Sequence, residues 1–297
     1  MPTDARAPSI ELTPSLLRQL ERLTLVSRRR LARSGQGERR SPLRGNSLQF
    51  VDFRPYAPGD DLRQVDWNVY GRSGDLFVRL YEDEQILTVH LLVDVSRSMD
   101  WGTPNKRQTA LAVAGALAYV ALSGYDRVQI GFLADQVIGR AGPFWGQRQR
   151  AAVLAALSAA PTSTQTDFAA SVAGYVDRLR QPGLLIFLTD LLSPTAEAGL
   201  RRLATAKHEA VIVQVLAPQE LDPEPAEDVQ LIDRETGQSM DVSLDLGTIA
   251  LYQQRLNEWT NGLARLCHER NARYLRLSSG DALDRMIRSM RDQGILT

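Results

Sequence analysis

The chain is 297 residues long and 43% hydrophobic, enough to bury a substantial core and too apolar for an intrinsically disordered protein. Lys plus Arg and Asp plus Glu balance at 35 each, so no overall field draws the chain to nucleic acid or to a membrane surface. The single cysteine, Cys267, excludes an intrachain disulfide; with no apolar leader and no apolar run longer than 111–122, the sequence predicts a cytoplasmic protein with no membrane span.

Residues 1–10 read as disordered. Leu16, Leu20, Leu23 and Val26 recur at helical spacing, predicting a helix over 15–33 with arginines on its other face. Nine arginines (Arg18, Arg22, Arg28, Arg29, Arg30, Arg33, Arg39, Arg40 and Arg44) face only Glu21 and Glu38, but no aromatic residue interleaves with them, so a solvated face is favoured over a nucleic-acid surface. Residues 34–47 read as a flexible link. Strands follow at 48–53 and 76–81, separated by a polar stretch with a turn at 57–60, and a second turn at 73–75 leads into the second strand.

From residue 86 strands alternate with helices. Strands are expected at 88–94, 127–133, 136–140, 183–189, 210–216 and 272–277, and helices at 106–122, 147–159, 168–180, 194–206, 248–270 and 282–291. Nearly all-apolar strands spaced by helices imply a parallel sheet covered on both faces. Residues 229–244 break the rhythm and read as a hairpin turning at 235–237. The fold class is therefore α/β: a doubly wound, mostly parallel six-stranded sheet, with 48–56, 76–82 and 229–244 as a small accessory β element and a helix at the N-terminus. The expected division is 1–45 (helix and link), 46–85 (accessory β element) and 86–297 (main domain with the inserted hairpin).

In such a sheet ligands bind at the carboxyl ends of the strands. Three oxygen-rich loops lie at such ends: Asp94-Val-Ser96-Arg-Ser98, the stretch 162–167 with Thr164, Thr166 and Asp167, and Thr189-Asp190. Two carboxylates and several hydroxyls without Cys or His select a hard cation, Mg²⁺ or Mn²⁺. Alternate residues of an extended strand end point the same way, so Asp94, Ser96 and Ser98 are expected to converge on one ion. The plain alternative is that these side chains cap the next helix. A first shell with few formal charges still lacks an anionic oxygen, which a partner's Asp or Glu can supply.

This set resembles the metal ion-dependent adhesion site of von Willebrand factor A domains, a D-x-S-x-S motif followed by a Thr and then an Asp. The resemblance implies a metal held by Asp94, Ser96, Ser98, Thr166 and Asp190, with Thr164 as the fallback for Thr166, and a strand order of 3-2-1-4-5-6. Thr166 is preferred because residues 166–172 resemble the family's T-x-φ-x-x-A-φ helix entry. Arg97 stands where many members have Gly and adds a cation beside the site; Gln165 likewise replaces a frequent Gly. A second resemblance is carried by Arg54-Pro-Tyr-Ala-Pro-Gly-Asp-Asp61, Arg63, Asp66-Trp67 and Gly71-Arg72 ahead of Asp94. It is to the "domain of unknown function 58" family, whose members pair this segment with an A-type domain. That resemblance implies an accessory role beside an AAA+ ATPase of the MoxR class.

The signature segment reads more readily as an ion-pair network holding register than as a functional surface. His90 reads as a core or edge residue, His208 and His268 as isolated, and Cys267 as a buried inert thiol. Trp101 and Trp145 either rim the metal face or pack beside it. The expected function is a non-enzymatic, metal-dependent protein-binding module whose partner supplies an acidic residue, with no nucleic-acid partner. The alternatives are a Mg²⁺-dependent phosphoryl-transfer enzyme, against which Ser96 stands where a D-x-D phosphatase needs its second Asp, and nucleic-acid binding through the basic N-terminus.

Overall fold

The structure is a computed structural model that describes residues 12–27, 49–57, 60, 62, 65–82, 86–203, 207–234 and 237–297. The chain packs as two units, one made of 1–27 with 87–297 and the other of 28–86.

The larger unit is built on a six-stranded sheet. Its strands are β3 (Thr88–Asp94), β4 (Arg127–Leu133), β5 (Val137–Trp145), β6 (Leu184–Thr189), β7 (Glu209–Leu216) and β10 (Arg273–Ser278), in the order β10-β7-β6-β3-β4-β5. Counted along the chain this is the expected 3-2-1-4-5-6. All neighbours are parallel except β4 and β5. The antiparallel edge strand runs to Trp145, longer than the 136–140 read from sequence, because Gly142 and Pro143, which punctuate a sequence like a turn, lie inside it.

Alternation along the central strands sorts side chains onto two faces. Val89, Leu91 and Val93 share one core with α1 (Pro14–Leu20), α3 (Lys106–Ser123), α4 (Arg150–Ser158) and α9 (Leu283–Asp292). Leu92, Leu185 and Phe187 share the other with α5 (Phe168–Val176), α6 (Ala196–Leu203) and α8 (Leu246–Glu269). α3 is Ala-rich and buried along most of its length, which lets it lie close over four strands. On the second face a Cβ at Gly199 of α6 would collide with the Phe168 ring, so helix contact there depends on glycine.

The N-terminal helix is shorter than its apolar spacing predicts. α1 ends at Leu20, and Leu25 then forms an antiparallel bridge with Leu296, flanked by Thr24 N–H to Thr297 O (2.9 Å) and the reverse bond (3.0 Å). Leu23 and Leu25 are buried as extended chain rather than as helix, because the C-terminus offers a backbone partner. Residues 28–33 of the expected helix, and the link 34–47, lie outside the described residues.

The three accessory β segments form two separate ribbons. β1 (Gln49–Pro55) pairs antiparallel with β2 (Phe77–Glu82), and β8 (Ala226–Ile232) pairs with β9 (Ser239–Leu244). Residues 235–236 of the expected hairpin turn lie outside the described residues. Between β1 and β2 lies a short helix not expected from sequence, α2 (Trp67–Ser73), whose first amides at Asn68 and Val69 are capped by the Asp66 carboxylate (2.9 and 3.2 Å). A last short helix, α7 (Pro218–Leu221), follows β7.

Candidate functional site

The site lies at the carboxyl ends of β3 and β6, in the larger unit. β3 ends at Asp94, which is 1% exposed. Asp94 Oδ1 accepts from the Ser96 amide (3.0 Å) and from Thr166 Oγ1 (2.8 Å), and Asp94 Oδ2 accepts from Thr189 Oγ1 (2.8 Å). Ser96 Oγ lies 3.0 Å from Ser98 Oγ. Convergence does not come from an extended strand end, as the sequence reading had it. The chain turns at residues 96–99, and the Asp94 side chain folds forward onto the Ser96 amide. Nor do these residues cap the next helix: the side-chain cap of α3 is Asn105, which accepts from Gln108 N (3.1 Å).

Thr166 and Thr164 separate cleanly. Thr166 is buried against Asp94, whereas Thr164 is exposed. The loop is pinned by Ser163 N–H to Val95 O (2.9 Å) and by Asp167 N–H to Ala134 O (3.0 Å), while the Asp167 carboxylate caps α5 at Ala170 (3.0 Å). Arg107 holds the approach to this loop, donating to Ala160 O (2.7 Å) and Pro161 O (2.8 Å).

Asp190 is 2% exposed, and its Oδ1 accepts from Leu192 N (3.0 Å). Leu191 between them has φ +59, a left-handed conformation costly for a branched side chain, so the turn after β6 is strained. Two features hold it. Thr189 Oγ1 accepts from Leu191 N (3.0 Å), and Gln214, fully buried in β7, donates to Asp190 O (2.8 Å) while accepting from the Tyr274 hydroxyl.

Sequence reading missed the residue that most changes the electrostatics. Lys106, the first residue of α3, is fully buried, and its Nζ donates to Asp190 Oδ2 (2.8 Å) and to Glu220 Oε1 (2.6 Å). Glu220 Oε2 in turn accepts from Ala217 N (2.7 Å). The first position of a helix gives no sequence sign of such a role, and Glu220 is 114 positions away. Three carboxyl groups, Asp94, Asp190 and Glu220, thus stand around one ammonium in a buried cluster. Burial, and then the Asp190 charge, push the Asp94 carboxyl above the usual range despite its hydrogen bonds from Ser96 and Thr189. Burial also raises Glu220, with Lys106 drawing it back. For Lys106 burial pulls downward, but Asp190 and Glu220 more than offset it and the ammonium stays charged.

The donor set is oxygen-only: two carboxylates and three hydroxyls around the end of β3. Among the described residues no three His, Cys, Asp or Glu side chains group so as to hold a metal, so any ion here relies on Ser and Thr oxygens. Carboxyl and hydroxyl oxygens of this kind fit a divalent hard cation.

The remaining candidates fall elsewhere. His90 is buried, with Nδ1 2.9 Å from the Tyr175 hydroxyl, and burial followed by the charges of His208 and Arg140 lowers its pKa to about 4. His208 Nδ1 accepts from Gly183 N (3.2 Å), and His268 is exposed. Trp101 lies near Lys106 Nζ (5.9 Å to the ring), at the site. Trp145 pairs with Arg127 at the amino end of β4, away from the site, and donates to Tyr125 O (3.0 Å). In the signature segment Asp66 caps α2, the Asp60 carboxylate accepts from Ala57 N (2.9 Å), and Trp67 is exposed and packs edge-on against Tyr70. Asp61 and Arg63, on which the ion-pair reading depends, lie outside the described residues, as do residues 58–59 of the turn.

Fold and site together define a doubly wound α/β protein with an oxygen-lined cluster at the carboxyl edge of its sheet. The chain belongs to the family described as "Protein of unknown function DUF58", whose sequence profile matches residues 52–257. Uncharacterized proteins of Mycobacterium bovis and Mycobacterium tuberculosis are 28% identical over 262 residues, covering 82% of this chain and 81% of theirs. Similar solved structures include the conserved hypothetical protein BatB from Bacteroides thetaiotaomicron (14% identity, TM-score 0.43) and an aerotolerance-related membrane protein from Bacteroides fragilis (15%, 0.43). Each covers 70% of this chain and 98% of its own. An uncharacterized membrane spanning protein from Vibrio fischeri matches at 14% identity and TM-score 0.24, over 68% of this chain and 96% of its own.

Two of these three structures are described as membrane proteins. On that finding the cytoplasmic location expected from the sequence is corrected and not retained; likenesses with TM-scores of 0.43 and 0.24 assign this chain no other location. Among the described residues no helix is long and apolar enough to cross a membrane.

Proposed function

We propose that the cluster at Asp94 is a divalent-cation site of the metal ion-dependent adhesion type, within a von Willebrand factor A-like domain, and that it binds an acidic side chain of a protein partner. One observation carries the reading. Asp94, Ser96, Ser98, Thr166 and Asp190 come from three separate loops and meet at the carboxyl edge of the sheet as an all-oxygen donor set, with Lys106 already on one of its two carboxyls. Mg²⁺ or Mn²⁺ suits such oxygens. A shell completed by hydroxyls rather than carboxylates leaves the ion short of anionic charge, which a partner's carboxylate supplies. A binding role is favoured over catalysis because the hydroxyls bonded to Asp94, those of Thr166 and Thr189, are buried with it rather than presented to a substrate. The resemblance of the signature segment supports a partner of the MoxR AAA+ class, or a client of such an ATPase.

The test is a pull-down from the native host with the full chain as bait, in Mg²⁺, in EDTA, and with Asp94→Ala. Capture of an AAA+ ATPase that needs both the ion and Asp94 is the expected result. Ion-independent capture, or Mg²⁺-dependent phosphatase turnover abolished by Asp94→Asn, overturns the reading.

A further inference from the structure

The chain holds 33 arginines and only two lysines, Lys106 and Lys207. One of those two is fully buried with its ammonium between Asp190 and Glu220. An ammonium is a compact point charge with three donors, whereas a guanidinium is a broad planar fork. A compact charge suits a slot between two single carboxylate oxygens, 2.8 Å from one and 2.6 Å from the other. Resting on the ion reading above, we propose that Lys106 is a tethered counter-cation of the Asp94 site, competing with the divalent ion for Asp190 and retreating to Glu220 when the ion binds.

The geometry makes the competition direct. Asp190 has two oxygens, one accepting from the Leu192 amide and the other from Lys106 Nζ. Oδ1 is held by the turn after β6, so Oδ2 is the oxygen that can change partner, and Lys106 holds it. Glu220 gives the ammonium a second carboxylate, itself fixed by the Ala217 amide (2.7 Å) and lying in α7, whose Glu220 carbonyl accepts from the Tyr252 hydroxyl (2.7 Å) of α8. Releasing Asp190 therefore does not leave a buried ammonium unpaired, which is the costly outcome for such a group. The consequence is a site of deliberately modest ion affinity, in which an incoming carboxylate from a partner has more to contribute than at a site where the ion is already fully compensated.

Charge and contact can be separated. Lys106→Met with Glu220→Gln removes one positive and one negative charge, so the cluster keeps its formal charge while Asp190 loses its competitor. Mn²⁺ binding by calorimetry or electron paramagnetic resonance is expected to be at least tenfold tighter in this double variant than in the wild type. Because the double variant removes a buried pair, a measurement on the unaltered protein stands beside it. With ¹⁵N-lysine labelling only Lys106 and Lys207 report, and the protected Lys106 ammonium signal is expected to shift with Mg²⁺ along the binding isotherm while Lys207 does not. The proposal is overturned if the folded double variant binds Mn²⁺ no tighter than wild type, or if saturating Mg²⁺ leaves the Lys106 signal unmoved although Asp94→Asn abolishes binding. If neither protein binds Mn²⁺ in a manner that Asp94→Asn removes, the ion reading itself fails.

Discussion

Thr166 Oγ1 donates to Asp94 Oδ1 at 2.8 Å, joining the end of β3 to a loop 72 positions further along the chain. A hydroxyl bonded to a buried carboxylate contributes about 2 kcal/mol. Thr166→Val should therefore destabilise the protein by about that amount in urea unfolding, and should abolish the rise in melting temperature that the proposed ion site predicts with Mg²⁺. Thr164→Ala, an exposed change two residues away, should stay within about 0.5 kcal/mol and keep the Mg²⁺ effect. Equal losses from both substitutions would contradict the separation of these two threonines.

Lys106→Met alone leaves Asp190 and Glu220 buried without their shared cation. Breaking a buried ion pair from one side costs about 3–5 kcal/mol. The single variant should lose that much by chemical denaturation, and adding Glu220→Gln should restore part of it. A double variant less stable than the single one would show that the Glu220 bond to the Ala217 amide outweighs its pairing with Lys106.

Burial holds the His90 imidazole at a pKa of about 4, below its ordinary 6.5. The unfolded chain therefore takes up the proton first as the pH falls through 6.5, and the folded state follows only near 4. Stability should drop by about 2 kcal/mol between pH 8 and pH 5, most of it below pH 6.5, and that slope should flatten in His90→Gln. A wild-type unfolding free energy that is flat across this window would contradict the assignment.

Cys267 is 1% exposed, and burial pushes its thiol up to about 12. Almost no thiolate exists at pH 8, and none is accessible. Ellman's reagent should label native protein only at the rate at which α8 opens, and should react fully in guanidinium. Prompt labelling of native protein would place Cys267 at the surface.

The central sheet was legible because Leu-Leu-Val and Leu-Leu-Ile-Phe runs admit one environment, buried on both faces, and turn-forming residues bound them. The oxygen ligands were legible for a related reason: polar side chains ending an apolar strand stand out, and three such ends fall in order. Lys106, Glu220 and Gln214 were not legible. Each is a polar residue in an unremarkable local setting, and their roles arise only when α3, β7 and α7 meet beside β6. The N-terminal helix was overextended because Leu20 and Leu23 fit a helical spacing, while the backbone partner that keeps Leu25 extended comes from residue 296. The short helix α2 went unread because Asp66 was taken for an ion-pair partner rather than as the cap it forms.

Residues 12–25 belong to the larger unit: Leu16, Leu20 and Leu25 are in its core, and Thr24 exchanges backbone bonds with Thr297. The segment 28–86 is thus spliced into that unit rather than placed ahead of it. Its exit at Leu87 leads into the amino end of β3, and its entrance at Ser27 is fastened by a 2.7 Å bond to Glu209, the first residue of β7. Both junctions therefore sit at the edge opposite Asp94. A protease that nicks the spliced segment once should leave the N-terminal fragment attached through Leu16, Leu20 and the Leu25–Leu296 bridge, so that only a denaturing gel reveals the cut.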